Sequence, residues 1–281
     1  MRVYISMDAE GITGIFKLSQ VMPSDKEYEK SRHLMANDIN AAAMGAFEAG
    51  ATDVFVNDAH NSGDNLLITE LDSRIKLCSG SDRPLTMAEG SQRRFDAALL
   101  IGYHARKGSK GVISHSYAYG SMVEMKLNGT VISEFDLVGH VCGHFGTPVV
   151  FVSGDDIVTA EAKARVPGIY AAQVKECVGN GSAVCLHPDV TFAMIRETVR
   201  KALENYKSDG ILPMTVEGTA EIEVRYTAES QARLAMGAPR SERTNETTVK
   251  YSGSDYLEAY RAFLVGTALA GGFRDDAALY R

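Results

Sequence analysis

Four apolar runs recur in the first part of the chain, and each stops abruptly at small and ionisable side chains. Val3 to Met7 runs into Asp8, Glu10 and Gly11, and Val54 to Val56 runs into Asn57-Asp58-Ala59-His60. Ala97 to Ile101 runs into Gly102-Tyr103-His104, and Val149 to Val152 into Ser153-Gly154-Asp155-Asp156. Short runs of this kind, with helical stretches between them, predict a largely parallel sheet covered on both faces. The first helix reads from Tyr28 through Leu34, Ile39 and Ala43 to Phe47, opened by a capping box at Ser24-Asp25-Lys26-Glu27 and stopped near Gly50. Between the third and fourth runs, Asn128-Gly129 joins two strand-like segments, Met122 to Leu127 and Thr130 to Glu134, as a hairpin. That hairpin leaves the main sheet and returns Glu134 towards it, ahead of a helix over 135–145.

The later chain carries a helix opened by His187-Pro188-Asp189, with Phe192, Ile195, Val199 and Ala202 at helical spacing. An alternating strand over 215–226 follows, then a last helix over 254–270. The expected fold class is α/β. Residues 1–190 form a mainly parallel sheet flanked by helices, and residues 191–281 a smaller α+β portion.

Composition narrows the partners. The 281 residues are 45% hydrophobic and 23% charged with a net charge of −7, which suits a globular chain and argues against a nucleic-acid backbone as partner. No run approaches the roughly 18 apolar residues of a membrane span, and no apolar leader precedes the first strand, so a cytoplasmic protein without membrane partners is expected. Cys78, Cys142, Cys177 and Cys185 are widely spaced, with no C-x-x-C, and read as free thiols rather than a disulfide framework or thiolate zinc site.

The candidate chemistry lies at the strand ends. If the chain stays extended past the first strand, Asp8 and Glu10 point the same way, and they repel unless a cation or a proton sits between them. Parallel sheets bind ligands beyond the carboxyl ends of their strands, where His60 and His104 join these acids. With Glu134 they make a nitrogen-and-oxygen ligand set that zinc accepts, as do manganese and cobalt. Taken singly, each also fits a solvated loop or a packed interior histidine. His33, His140, His144 and His187 sit in or beside helices and receive no role, while Asp58, Asp155 and Asp156 suit caps or supporting groups. Gly11-Ile12-Thr13-Gly14 lacks the lysine and the glycine spacing of phosphate-binding loops.

In this order, Asp8-Ala9-Glu10-Gly11-Ile12-Thr13-Gly14, Asn57-Asp58-Ala59-His60, Gly102-Tyr103-His104-Ala105, Ser114-His115-Ser116 and Ser153-Gly154-Asp155-Asp156 resemble the D-aminopeptidase family of metallopeptidases, the M55 peptidases. The resemblance implies an aminopeptidase with two zinc ions per chain held by Asp8, Glu10, His60, His104 and Glu134, Asp8 bridging the pair. It makes His115 the catalytic histidine. The family describes that residue as the nucleophile, whereas general chemistry favours proton transfer or oxyanion stabilisation. It also implies short peptides or aminoacyl amides as substrates and a ring-like homodecamer. Two departures stand at the hairpin, where Ser133 and Val138 replace the family's usual glycine and asparagine, and Glu124 is the reserve ligand to Glu134. The rival readings are a metal-dependent amidohydrolase acting on a non-peptide amide, and a non-catalytic metal-binding protein.

Overall fold

The computed structural model describes residues 1–271. In chain order they form β1 (Arg2–Met7), α1 (Tyr28–Glu48), β2 (Asp53–Asp58), β3 (Ile75–Cys78), β4 (Ala97–Ile101), β5 (Met122–Leu127), β6 (Thr130–Ile132), α2 (Glu134–His144), β7 (Val149–Asp155) and α3 (Asp156–Arg165). Then come β8 (Tyr170–Gly179), β9 (Ser182–Cys185), α4 (Pro188–Asn205), β10 (Ala220–Tyr226), α5 (Glu229–Ala235), β11 (Ser241–Arg243), β12 (Thr248–Gly253) and α6 (Tyr256–Gly271).

The first sheet runs β3-β2-β1-β4-β7-β8-β9 and is parallel except for β9, the antiparallel edge. Its inner strands β1, β4 and β7 are almost wholly buried, as their unbroken apolar runs require. Helix α1 packs along α4, and α2 packs against α6. The fold is therefore the expected α/β arrangement, a mainly parallel sheet flanked by helices.

The chain proceeds outward from β1 through β2 to β3, then returns to lay β4 on the other side of β1. Strand order thus reverses between β1 and β4. At such a point the loops leaving adjacent strands diverge and open a crevice beyond their carboxyl ends. Two glycines make the crossing possible. A Cβ on Gly11 would lie 2.0 Å from the Tyr103 carbonyl oxygen, and one on Gly102, which has φ +74°, would lie 2.2 Å from the Asp8 carbonyl. The two loops are also tied by the Gly11 N–H, which donates to the Gly102 carbonyl at 2.7 Å.

The second sheet is antiparallel, in the order β11-β12-β10-β5-β6. Its β5–β6 hairpin turns at Asn128 and Gly129, both with positive φ (47° and 82°), as a two-residue hairpin turn demands. Because β5 pairs with β10, this sheet draws strands from both sides of residue 190. Residues 272–281 of the expected C-terminal portion lie outside the described residues.

Two local expectations are corrected, and five strands escape the pattern. Helix α1 begins at Tyr28, but its N-cap is Glu27 without a side-chain bond, and the Ser24 capping box does not form. The Glu27 carboxylate instead takes Lys17 Nζ (2.9 Å) and Ser19 Oγ (2.8 Å) from the preceding loop. Glu134 does not end a strand: it opens α2 behind Ser133, whose hydroxyl accepts from the Asp136 N–H while the Asp136 carboxylate takes the Ser133 N–H at 2.8 Å. Strands β3, β8, β9, β11 and β12 carry too little continuous apolar signal to stand out in the pattern; β3, for instance, reads Ile-Lys-Leu-Cys at its sheet's edge.

Candidate metal centre

Side chains from four elements meet in the crevice between β1 and β4. Asp8 and Glu10 follow β1, His60 follows β2, His104 follows β4, and Glu134 begins α2. All five are buried. The two Asp8 oxygens face opposite ways, Oδ1 lying 3.2 Å from His60 Nδ1 and Oδ2 3.6 Å from His104 Nε2. Glu10 Oε2 is 3.3 Å from His60 Nδ1, and Glu134 Oε1 is 3.0 Å from His104 Nε2. His115 completes the group. Its ring stacks on His104 at 3.9 Å between centroids, and its Nε2 lies 3.8 Å from Glu134 Oε1 and 4.0 Å from Glu10 Oε1.

Potential ligand atoms fall into two sets, Asp8 with Glu10 and His104, and His104 with His115 and Glu134, the members of each lying within 4.8 Å of one another. Glu124, the reserve ligand, is elsewhere: it sits on β5 facing Lys126 at 3.4 Å. The other histidines stay apart too. His33 pairs with Glu70, His140 faces the Met214 carbonyl, and His187 caps α4.

Backbone carbonyls decide which nitrogen each imidazole presents. His60 turns Nε2 to the Val21 carbonyl (3.0 Å) and the Asn61 amide nitrogen (2.7 Å), leaving Nδ1 towards the acids. His104 Nδ1 donates to the Ala105 carbonyl (2.9 Å) and His115 Nδ1 to the Ile113 carbonyl (2.7 Å), leaving Nε2 of each towards the acids. Fixing the outward N–H in this way orients an imidazole for a metal or a proton.

The electrostatics are those of a crowded, buried site. Burial, aided by the Glu10 charge, raises the Asp8 carboxyl to about 7. Burial also opposes charge on Glu10, but His60 and the other imidazoles outweigh it and hold Glu10 well below the usual carboxylate range. Glu134 is lowered by His104 against the same burial penalty. For the imidazoles burial works in the other direction and is again outweighed: Glu10 and Asp8 hold His60 well above its ordinary value, and Glu134 and Asp8 raise His104 to about 10. His115 goes the opposite way, lowered by burial and by the neighbouring His104. Even so, Asp8 Oδ2 and Glu10 Oε2 are buried without a well-aligned donor. Unsatisfied anionic oxygens beside imidazole nitrogens are the donor set a divalent cation takes up.

Supporting residues hold the loops. Asp58 receives the Asn65 and Leu66 N–H groups, shaping the turn that carries His60. Asp155 caps α3 through the Val158 N–H and takes the Val112 N–H (2.7 Å), anchoring the segment that leads to His115. Asp156 takes the Cys177 N–H. The sequence reading missed Lys175 on β8. This ammonium is fully buried and donates to the carbonyls of Glu10 (2.6 Å), Ile12 (2.9 Å) and Ile15, clamping the loop that bears both acids. Burial lowers it to about 8. A lysine within an amphipathic strand carries no sign of partners so far away in sequence.

Comparison with known proteins follows the same outline. A family model described as D-aminopeptidase matches residues 1–265. The D-aminopeptidase of Bacillus subtilis (strain 168) is 35% identical over 271 residues, covering 96% of this chain and 98% of that protein. A solved structure described as the Zn-dependent D-aminopeptidase DppA from Bacillus subtilis, a self-compartmentalizing protease, superposes with a TM-score of 0.92 at 34% identity, covering 96% of this chain and 98% of its own.

Two outcomes follow from this geometry. A metal takes neutral nitrogen and ionised carboxylate, so at pH 7 its binding must expel the protons held on His60 and His104 and part of that on Asp8. Calorimetry in buffers of different ionisation enthalpy should find about two to three protons released per chain, fewer as the pH rises past about 7, where Asp8 gives up its share, and again through about 10, the value of His104. The raised His104 also favours the metal-free fold, fully below its ordinary 6.5 and no longer above about 10. Second, Lys175→Met should weaken metal binding by about 10–100-fold, read by competition with a chelator. Unchanged affinity would leave Lys175 a packing residue only.

Proposed function

The chain belongs to the D-aminopeptidase family, the M55 peptidases, and on that premise we propose that it is a zinc-dependent aminopeptidase that removes the N-terminal residue, D-configured by preference, from short peptides through a two-metal centre. Asp8, Glu10, His60, His104 and Glu134 would hold the ions. The observation that carries this reading is the buried pair of donor-less oxygens, Asp8 Oδ2 and Glu10 Oε2, in a site where Asp8 turns one oxygen to His60 and the other to His104. That divergence suits a carboxylate shared between two ions. Bound zinc supplies polarisation of the scissile carbonyl and a water acidic enough to attack near neutral pH.

His115 then handles the proton. Its lowered pKa keeps the ring neutral at pH 7, and its Nδ1–H is committed to the Ile113 carbonyl, so the lone pair on Nε2 faces the acids. Nε2 accepts a proton from the attacking water and returns it to the departing amine nitrogen, which must leave protonated. This makes His115 a general base and acid rather than a nucleophile. Asp155 and the Ile113 carbonyl keep the ring in place for both transfers.

The pocket above these residues has a volume of about 340 Å³ and is walled by Leu18, Met22, Tyr117 and Tyr119 among others. That size supports a small peptide and not a folded chain. The likeness to a self-compartmentalizing protease supports a homo-oligomer here too, a ring-like decamer by family resemblance. A cytoplasmic place of action belongs to the same reading; among the described residues no helix is long and apolar enough to cross a membrane.

The direct test is hydrolysis of paired D- and L-aminoacyl amides and dipeptides at equal metal loading. The expected result is release of free N-terminal amino acid with the D series faster. No release from either series, in protein shown to hold metal, would reject an aminopeptidase. His115→Ala should keep its metal and its melting temperature while losing roughly two to four powers of ten in turnover. Loss of metal in that variant would make His115 a ligand, and near-normal turnover would remove it from catalysis.

A further inference from the structure

The wall of the pocket that holds Asp8, Glu10, Glu134 and His115 includes one guanidinium, that of Arg83, in the loop between β3 and β4. Arg83 is only 9% exposed. Its Nη1 donates to Asn57 Oδ1 (2.7 Å) and to the Asp58 carbonyl, both neutral acceptors. Its Nε is buried with no acceptor, and among the described residues no carboxylate pairs with it. A guanidinium largely removed from water without a counter-charge is unfavourable by itself. Its planar fork matches a planar or branched oxyanion, a carboxylate or a phosphate.

The chemistry of the proposed reaction supplies such a group. The acids and imidazoles gather at the part of the pocket where the scissile carbonyl must sit. In a dipeptide the terminal carboxylate follows that carbonyl after one amide nitrogen and one Cα, well within a pocket of about 340 Å³. Arg83 gives that carboxylate a positive partner of its own in the pocket wall, setting the peptide with its C-terminus towards the loop between β3 and β4.

We propose that Arg83 recognises the free α-carboxylate of a dipeptide or tripeptide, so that the enzyme prefers short peptides with an unblocked C-terminus to the matching amides. This rests on the aminopeptidase reading. The experiment compares kcat/KM for a D-dipeptide and for the amide of the same N-terminal residue in the native enzyme, Arg83→Gln and Arg83→Lys, with metal content measured on each preparation. The dipeptide-to-amide ratio should fall about 10–100-fold in Arg83→Gln, the scale of a charge-assisted hydrogen bond, mostly through KM, and fall less in Arg83→Lys. Calorimetry with a dipeptide whose peptide bond is replaced by a non-hydrolysable methyleneamine should show the same loss in binding.

An unchanged ratio would overturn the proposal. So would an equal loss on both substrates accompanied by loss of metal, since that would assign Arg83 to holding the Asn57–Asp58 turn behind His60. If Arg83→Gln does not fold, the ratio in Arg83→Lys decides on the same terms. A native enzyme that cleaves neither substrate would count against the aminopeptidase reading itself, a result distinct from an unchanged ratio.

Discussion

Negative charge held out of water must be balanced, and much of this structure follows from balancing it at one place. Asp8, Glu10 and Glu134 are almost wholly buried at the floor of the crevice, where an unpaired carboxylate is costly enough to change its protonation rather than remain charged. Without metal the balance comes from protons, on His60, on His104 and partly on Asp8 itself. One divalent ion would leave three carboxylates undercompensated. Two ions would exceed them by one charge and so would leave the site able to attract and stabilise an anion as a reaction proceeds. The same arithmetic gives Arg83 its interest, as a positive group placed in the wall of an otherwise acidic pocket.

The fold makes that concentration of charge possible through backbone more than through side-chain packing. The reversal of strand order between β1 and β4 opens the crevice, and Gly11 and Gly102 let the loops pass at distances no other residue allows. Lys175 then secures three carbonyls of the loop that carries Asp8 and Glu10, and carbonyls of Val21, Ala105 and Ile113 orient the three imidazoles. Helix α6 braces the pocket wall from behind. Tyr260 from α6 donates to the Leu85 carbonyl and meets Thr86, which also receives the Tyr117 hydroxyl. Parts of the chain distant in sequence therefore contribute rigidity to the pocket.

How much of this was legible in the sequence depended on whether the signal was local. Asp8, Glu10, His60 and His104 stand directly after apolar runs, and buried parallel strands make such runs easy to see. Asn128-Gly129 announced its hairpin for the same reason. His115 follows no main strand, and only the ordered motifs of the family singled it out. Glu134 was found but misplaced on a strand, although Ser133 with Asp136 spells a helix start. At Ser24 the opposite happened: a capping box was legible and did not form, because Lys17 and Ser19 draw Glu27 into the loop. Lys175 and Arg83 were not legible. Their partners lie far along the chain, and a lysine in a strand or an arginine in a polar loop ordinarily means exposure.

The central claim is that the acid cluster is neutralised by two divalent ions on each chain, and metal content of catalytically active protein measures it most directly. The account predicts two ions per chain, zinc under native conditions, with turnover lost on chelation and regained as both sites refill. A constant ratio of one ion or none per chain in fully active protein would contradict it.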